Sequence, residues 1–173
     1  MTTNSPQRLG QTMIYVAWIL ALILLTWFFN LFLERQSNPN QKIVGQQHAD
    51  GSREVTLQRN QGGHYVATGT INGMPVVFLL DTGATMIALP EHIANQLRLE
   101  KGVPIQMVTA NGTVTSYSTQ LERVALGPIE LNQVSATINP HMQEDEVLLG
   151  MSFLKKLEFT QRGDILILRQ NKL

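Results

Sequence analysis

The chain has 173 residues, with 13 Lys and Arg against 13 Asp and Glu and no cysteine. That length holds one domain and an appendage. The missing cysteines exclude disulfides, thiolate nucleophiles, Cys-based zinc sites and iron–sulfur clusters, and without a basic stripe or tail a nucleic-acid partner has no electrostatic footprint.

Residues 1–12 form a short polar tail. Residues 13–33 read MIYVAWILALILLTWFFNLFL without a charge. At about 1.5 Å per residue this run spans the roughly 30 Å hydrocarbon core of a bilayer. Trp18, Trp27, Phe28 and Phe29 add aromatic bulk, some of it near one interface. A cleaved signal peptide would show a shorter apolar region and a small-residue cleavage site; this run ends instead in Asn-Leu-Phe-Leu-Glu-Arg. A single uncleaved transmembrane helix is expected. Arg8 on one side and Arg35 and Lys42 on the other give no decisive positive-inside bias. A short polar tail is easily kept in the cytoplasm, so the expected arrangement is single-pass in the inner membrane with the larger domain in the periplasm.

Residues 34–52, rich in Gln, Asn, Ser and Gly, cannot bury a core and are expected to be a flexible tether. The folded domain is expected over 53–173, mostly as strands. Residues 53–58 alternate. Residues 64–71 are β-rich and end at Asn72-Gly73, a strong hairpin signal. Residues 75–80 return as a strand apolar enough for burial on both faces. Pro90 opens a short helix over 91–97, with Glu91 in its first turn. Residues 105–108 and 113–118 flank Ala110-Asn111-Gly112 as a second hairpin, and 121–126 and 129–134 flank Gly127-Pro128 as a third. A short apolar strand at 147–150 is stopped by Gly150; residues 151–157 have helical character, and 164–168 form a last strand. Many short strands with two brief helices predict a mainly β domain resembling a small barrel.

The segment Phe78-Leu79-Leu80-Asp81-Thr82-Gly83-Ala84-Thr85 stands out. An apolar strand delivers one carboxylate to its end, and the chain turns at once through Thr and Gly. Alone, Asp-Thr-Gly is ordinary turn chemistry, and a capping aspartate is the bland alternative. Peptide hydrolysis without a metal or covalent intermediate needs two carboxylates sharing a proton, one activating water and one donating. The motif occurs once. Asp164 precedes its strand, Asp50 lies in the expected tether and Asp145 sits among acids, so a second Asp81 brought by a C2 homodimer is the economical route to a pair.

With these residues in view, the chain resembles the retropepsin-like aspartic proteases, including bacterial membrane-anchored members. Three segments carry the resemblance: residues 79–85, the hairpin around 110–113, and Glu146-Val147-Leu148-Leu149-Gly150-Met151-Ser152-Phe153-Leu154. The resemblance implies a closed β-barrel domain with one or two short helices, and residue roles follow from it. Asp81 would be catalytic, Thr82 would brace its counterpart across the dimer, and Gly83 would allow the tight turn. Ala84 would lie in the substrate-binding loop; Ala110, Asn111, Gly112 and Thr113 would form a flap over substrate, with Leu148, Leu149 and Gly150 as structural support. Pepsin-like enzymes often carry Ser where Ala84 stands, donating to the carboxylate, so an activity optimum less acidic than pepsin's is expected. No Tyr stands at the flap tip, and Tyr117 reads as structural.

His48, His64, His92 and His141 are scattered without ligand spacing, Gly150-Met151-Ser152 fails as a nucleophile elbow, and residues 144–146 read as a solvated acidic turn; no metal or cofactor is expected. The expected function is a membrane-anchored homodimeric aspartic endopeptidase acting on peptide or protein substrates near the bilayer. The alternative is a non-catalytic peptide-binding or assembly module of the same fold.

Overall fold

A computed structural model describes residues 5–109 and 112–172. The chain divides into two compact units, one ending at Gln36 and one beginning at Ser37.

The first unit is a single helix, α1 (Ser5–Ser37). It is longer than the predicted 13–33 because nothing in the polar flanks stops it. Pro6 falls in the first turn, where its missing N–H costs nothing, and the helix ends just before Asn38-Pro39, since a residue preceding proline avoids helical backbone. Residues 10–37 are long and apolar enough to cross a membrane. Met13, Trp18, Leu24, Trp27 and Phe28 are exposed, and Phe29 and Phe32 meet edge to face at 6.4 Å.

The second unit is mainly β. Its strands are β1 (Val44–Gln47), β2 (Arg53–Gln58), β3 (Val66–Ile71), β4 (Met74–Leu80), β5 (Ile87–Pro90), β6 (Pro104–Thr109), β7 (Gly112–Leu126), β8 (Ile129–Asn139), β9 (Glu146–Leu149), β10 (Glu158–Arg162) and β11 (Ile165–Gln170). Helix α2 (Glu91–Gln96) follows β5, and α3 (Met151–Leu154) follows β9. One sheet runs β1-β2-β11-β10 and the other β3-β4-β9-β5-β8-β7-β6. Asn72 and Gly73 both have positive φ, 50° and 83°, as a two-residue hairpin of the twist-matched kind requires.

The larger sheet curls back on itself, because β3 also pairs with β7 at Thr70–Ala125 and Ile71–Val124. Gly69 makes this approach possible: a Cβ there would lie 2.4 Å from the Ala125 carbonyl oxygen and 2.6 Å from the Phe78 ring. The ring of pairings is thin there and at β5–β9, where only Ala88–Leu148 is in register. The sheet is thus a curled barrel with weak seams rather than the fully closed one expected. Phe78, Ile87, Leu89, Ile138, Leu149 and Phe153 are fully buried within it.

Residues 34–52 are not a featureless tether. The helix continues to Ser37, β1 pairs with β2, and Asn38, Asn40 and Ser52 are buried. The physical reason is polar. Asn40 Nδ2 donates to the carbonyls of Gln58 at 2.8 Å and Val66 at 2.7 Å, its Oδ1 accepts from Gln58 N at 2.7 Å, and its own N–H donates to Asn38 Oδ1 at 3.0 Å. One amide therefore rivets the end of β2 to the start of β3. Strand β4 also departs from expectation: only Val76 and Phe78 are buried along it, because alternate residues face away from the core.

Candidate active site

Asp81 follows the last residue of β4, a strand held in parallel register with β9, Leu79 opposite Leu148 and Leu80 opposite Leu149. Leu80 N donates to the Tyr65 carbonyl at 3.0 Å, and Asp81 N donates to the Leu149 carbonyl at 3.2 Å. The carboxylate is thus carried on backbone tied from both sides. Gly83 N donates to Asp81 Oδ1 at 2.8 Å, which orients one carboxylate oxygen, and Ala84 N donates to the Asp81 carbonyl at 3.3 Å. Asp81 and Ala84 are half-buried, whereas Thr82 and Gly83 are exposed.

The loop is locked from beneath by Gly150, which is buried. A Cβ there would stand 2.3 Å from the Met86 carbonyl oxygen and 2.6 Å from that of Ala84. Only glycine lets the 84–86 backbone lie so close. Met151 N then donates to the Ala84 carbonyl at 2.8 Å, and Ser152 Oγ accepts from Ile87 N at 3.0 Å. The structure therefore brings Asp81, Thr82, Gly83 and Ala84 together with Leu148, Leu149 and Gly150, Leu149 being fully buried. Tyr65 and Met86 were given no role from the sequence, and Ser152 was noted only within residues 146–154 and as a failed nucleophile elbow. Ser152 follows Gly150 by two residues, a small polar side chain after a strand-stopping glycine, and that spacing was its only signal.

Of the residues expected in the flap, Gly112 and Thr113 are exposed and pair with Thr109 and Val108 across the β6–β7 hairpin; Ala110 and Asn111 lie outside the described residues. Below the hairpin, Gly102 N donates to the Ser118 carbonyl at 2.7 Å. Tyr117 is half-buried there with the Lys101 ammonium 4.9 Å above its ring.

No other aspartate lies on the loop that carries Asp81. Asp50 binds Ser52 and Arg169, Asp145 pairs with His92 at 3.1 Å, and Asp164 lies exposed in the turn between β10 and β11. Among the described residues no three His, Cys, Asp or Glu side chains cluster as a metal site.

Residues 67–156, which contain this loop together with β9 and Gly150, match the family described as "gag-polyprotein putative aspartyl protease". The chain belongs to this family. Its fold is retropepsin-like: it resembles the crystal structure of a retropepsin-like aspartic protease from Rickettsia conorii, with 28% identity and a TM-score of 0.59, over 75% of this chain and 96% of the other. It is also 31% identical to an uncharacterised Sinorhizobium protein encoded in a cobV 5′ region, over 96% of this chain and 77% of the relative. Uncharacterised protein RP867 of Rickettsia prowazekii is 29% identical over 66% of this chain and 51% of its own length. The loop thus presents one oriented carboxylate per chain, next to the exposed Thr82 and Gly83.

Proposed function

We propose that this protein is a membrane-anchored, homodimeric aspartic endopeptidase whose site is completed by two Asp81 side chains, one from each copy. The observation that carries this reading is the way Asp81 is held. Its backbone is fixed to β9, Gly83 N–H orients one carboxylate oxygen, and Gly150 clamps the loop, while Asp50 and Asp145 are engaged elsewhere and Asp164 lies in the β10–β11 turn. In the paired site, one Asp81 is ionised and the other protonated. The ionised carboxylate takes a proton from water, the hydroxide adds to the scissile carbonyl carbon, and the other carboxyl gives its proton to the carbonyl oxygen. A proton then passes to the departing nitrogen as the C–N bond breaks, and the pair recovers its single shared proton. Thr82 braces the partner's loop, and the β6–β7 hairpin closes over substrate and excludes water.

Helix α1 serves as the anchor, with the domain on the periplasmic side of the inner membrane. A short connection to the bilayer favours substrates in or beside the same membrane and raises the effective concentration for dimerisation. The test is Asp81→Asn in the full-length chain, in membranes, with a peptide library as substrate. Abolished cleavage with retained folding is expected; equal cleavage by both proteins would remove Asp81 from the mechanism. A reporter fused after Leu173 that is active only in the cytoplasm would overturn the orientation.

A further inference from the structure

The chain enters the β unit without slack. Ser37, the last residue of α1, comes four residues after Leu33, about 6 Å of helix rise beyond the apolar run. Its carbonyl accepts from Asn60 Nδ2 at 3.0 Å, and Asn60 Oδ1 accepts from His64 N at 2.8 Å. Asn38 and Asn40 are buried directly afterwards. The turn between β2 and β3 is thus fastened to the first residue of the unit.

Four strand ends line up beside that turn. Val44 pairs with Thr56, so Lys42 comes level with Gln58. Gln58 pairs with Ile165, and Ile165 pairs with Arg162. Arg59 N donates to the Asp164 carbonyl at 2.8 Å. In sheet order this end therefore carries Lys42, Arg59, Asp164 and Arg162, in a row about 14 Å long at the usual strand spacing. All four are exposed, and none forms an ion pair among the described residues. Arg59 Nε donates to the Gly63 carbonyl at 2.7 Å, which props the guanidinium without neutralising it. Three cations thus stand against one acid, in a chain whose 13 bases and 13 acids balance. The far end of the same sheet sets Arg53, Arg169 and Lys172 against Asp50, Glu54 and Glu158 and has no such excess.

We propose that this end of the sheet rests on the headgroups of anionic phospholipids, in the leaflet from which α1 emerges. The inference rests on the reading of α1 as the anchor and deepens it. Covalent continuity selects the partner: Ser37 follows the apolar run by so short a rise that the residues bound to it stand at headgroup depth. A surplus of cations there is drawn to an anionic leaflet, and each Lys or Arg near such a surface favours contact about fivefold. Three of them, opposed by Asp164, amount to roughly 25-fold. Glu34 and Arg35, between the apolar run and Ser37, cancel. The contact also bears on the site. Leu80 N donates to the Tyr65 carbonyl, and Tyr65 follows His64 of the same turn. Docking this turn therefore holds the Asp81 loop beside the bilayer and directs it to peptide segments that have just left the membrane.

The test uses the full-length chain in nanodiscs of phosphatidylcholine, alone or with phosphatidylglycerol, each with a lipid that carries a quencher on its headgroup. The native sequence has no cysteine, so Gln61→Cys places a single labelled thiol in the β2–β3 turn and Gln47→Cys places one at the far end of β1; both positions are exposed. Quenching at 61 is expected to rise when phosphatidylglycerol is added and to fall back in about 1 M salt, where the screening length is about 3 Å. Quenching at 47 should change little. The triple variant Lys42→Glu, Arg59→Glu, Arg162→Glu should lose the phosphatidylglycerol response. The triple variant Lys42→Arg, Arg59→Lys, Arg162→Lys should keep it, which separates charge from folding. Equal quenching at 61 with and without phosphatidylglycerol, or an undiminished response in the charge-reversed chain, overturns the lipid contact. A chain that does not co-elute with the discs overturns the anchor and the contact together. None of these readouts uses cleavage, so the loss of activity in Asp81→Asn decides the protease reading separately.

Discussion

Gly150 and Asp81 form one device at the scale of single residues. The carboxylate sits above the loop and the glycine below it, and the carbonyls of Ala84 and Met86 fill the space a side chain would need. Gly150→Ala is therefore expected to force the loop upward. Overpacking of this kind typically costs about 1–3 kcal/mol, and the displaced loop also loses the Met151–Ala84 hydrogen bond. The expected outcome is a lowered melting temperature together with loss of Asp81-dependent cleavage; a fully active, equally stable variant would show that the loop has another place to go. Asp50 offers a pH signature of a different kind. Its carboxyl is held below the usual aspartate range, first by the Ser52 hydroxyl and then by the Ser52 backbone N–H, with Arg169 and His48 adding charge attraction. A depressed native value means that the unfolded chain binds the proton more readily, so this contribution is present above the ordinary aspartate range and fades as pH falls through the native value. Melts of Asp50→Ala against wild type should differ at neutral pH and converge in acid; a difference that grows in acid would reverse the sign.

At the scale of elements, the hairpins were legible where turn chemistry announced them. Asn72-Gly73 and Gly127-Pro128 both fall between paired strands, and residues 53–58 became β2 without adjustment. Strands β1, β5 and β10 were not foreseen, for a common reason: each is four or five residues long, and the two edge strands have no buried face to impose alternation. The long β7 was expected as two strands and β8 was cut short at 134, because the Thr, Ser and Gln along them resemble loop composition even where, as at Ser116 and Thr137, they are buried. The backbone of the Asp81 loop was legible because the apolar strand before it and a distant Leu-Leu-Gly meet through β4–β9 pairing and the close approach of Gly150. Asn40 was illegible because its importance lies in three partners far along the chain, on β2 and β3. Replacing it tests how far that polar rivet matters. Asn40→Ala leaves Gln58 N–H, Gln58 C=O and Val66 C=O without partners, and buried unsatisfied groups cost about 1–3 kcal/mol each, partly relieved here by water. A loss of roughly 3 kcal/mol in chemical denaturation is expected. Asn40→Asp keeps the acceptor for Gln58 N–H and loses both donors, so it should not rescue; full stability in either variant would show that the junction is not a structural tie.

At the scale of the whole molecule, the proposed mechanism, with one oriented aspartate per chain, makes the number of chains part of the chemistry. The two readings, one copy or two, make different quantitative demands on mixtures. Suppose wild type and Asp81→Asn are co-expressed in equal amounts as full-length chains. If each copy worked alone, activity per total chain would fall to about one half. If the site is built from two copies that exchange freely, random pairing leaves about one quarter of the dimers with both aspartates. A mixed pair lacks the second carboxylate that must carry or accept the shared proton, so it contributes little. Activity is therefore expected near a quarter of the all-wild-type value, and further excess of Asp81→Asn should depress it as the square of the wild-type fraction. A linear decline would contradict the dimeric site. With α1 as the proposed anchor, the measurement belongs in membranes or proteoliposomes, where local concentration favours pairing. Diluting the same protein into excess detergent should separate the copies and reduce activity per chain, and returning it to lipid should restore both together.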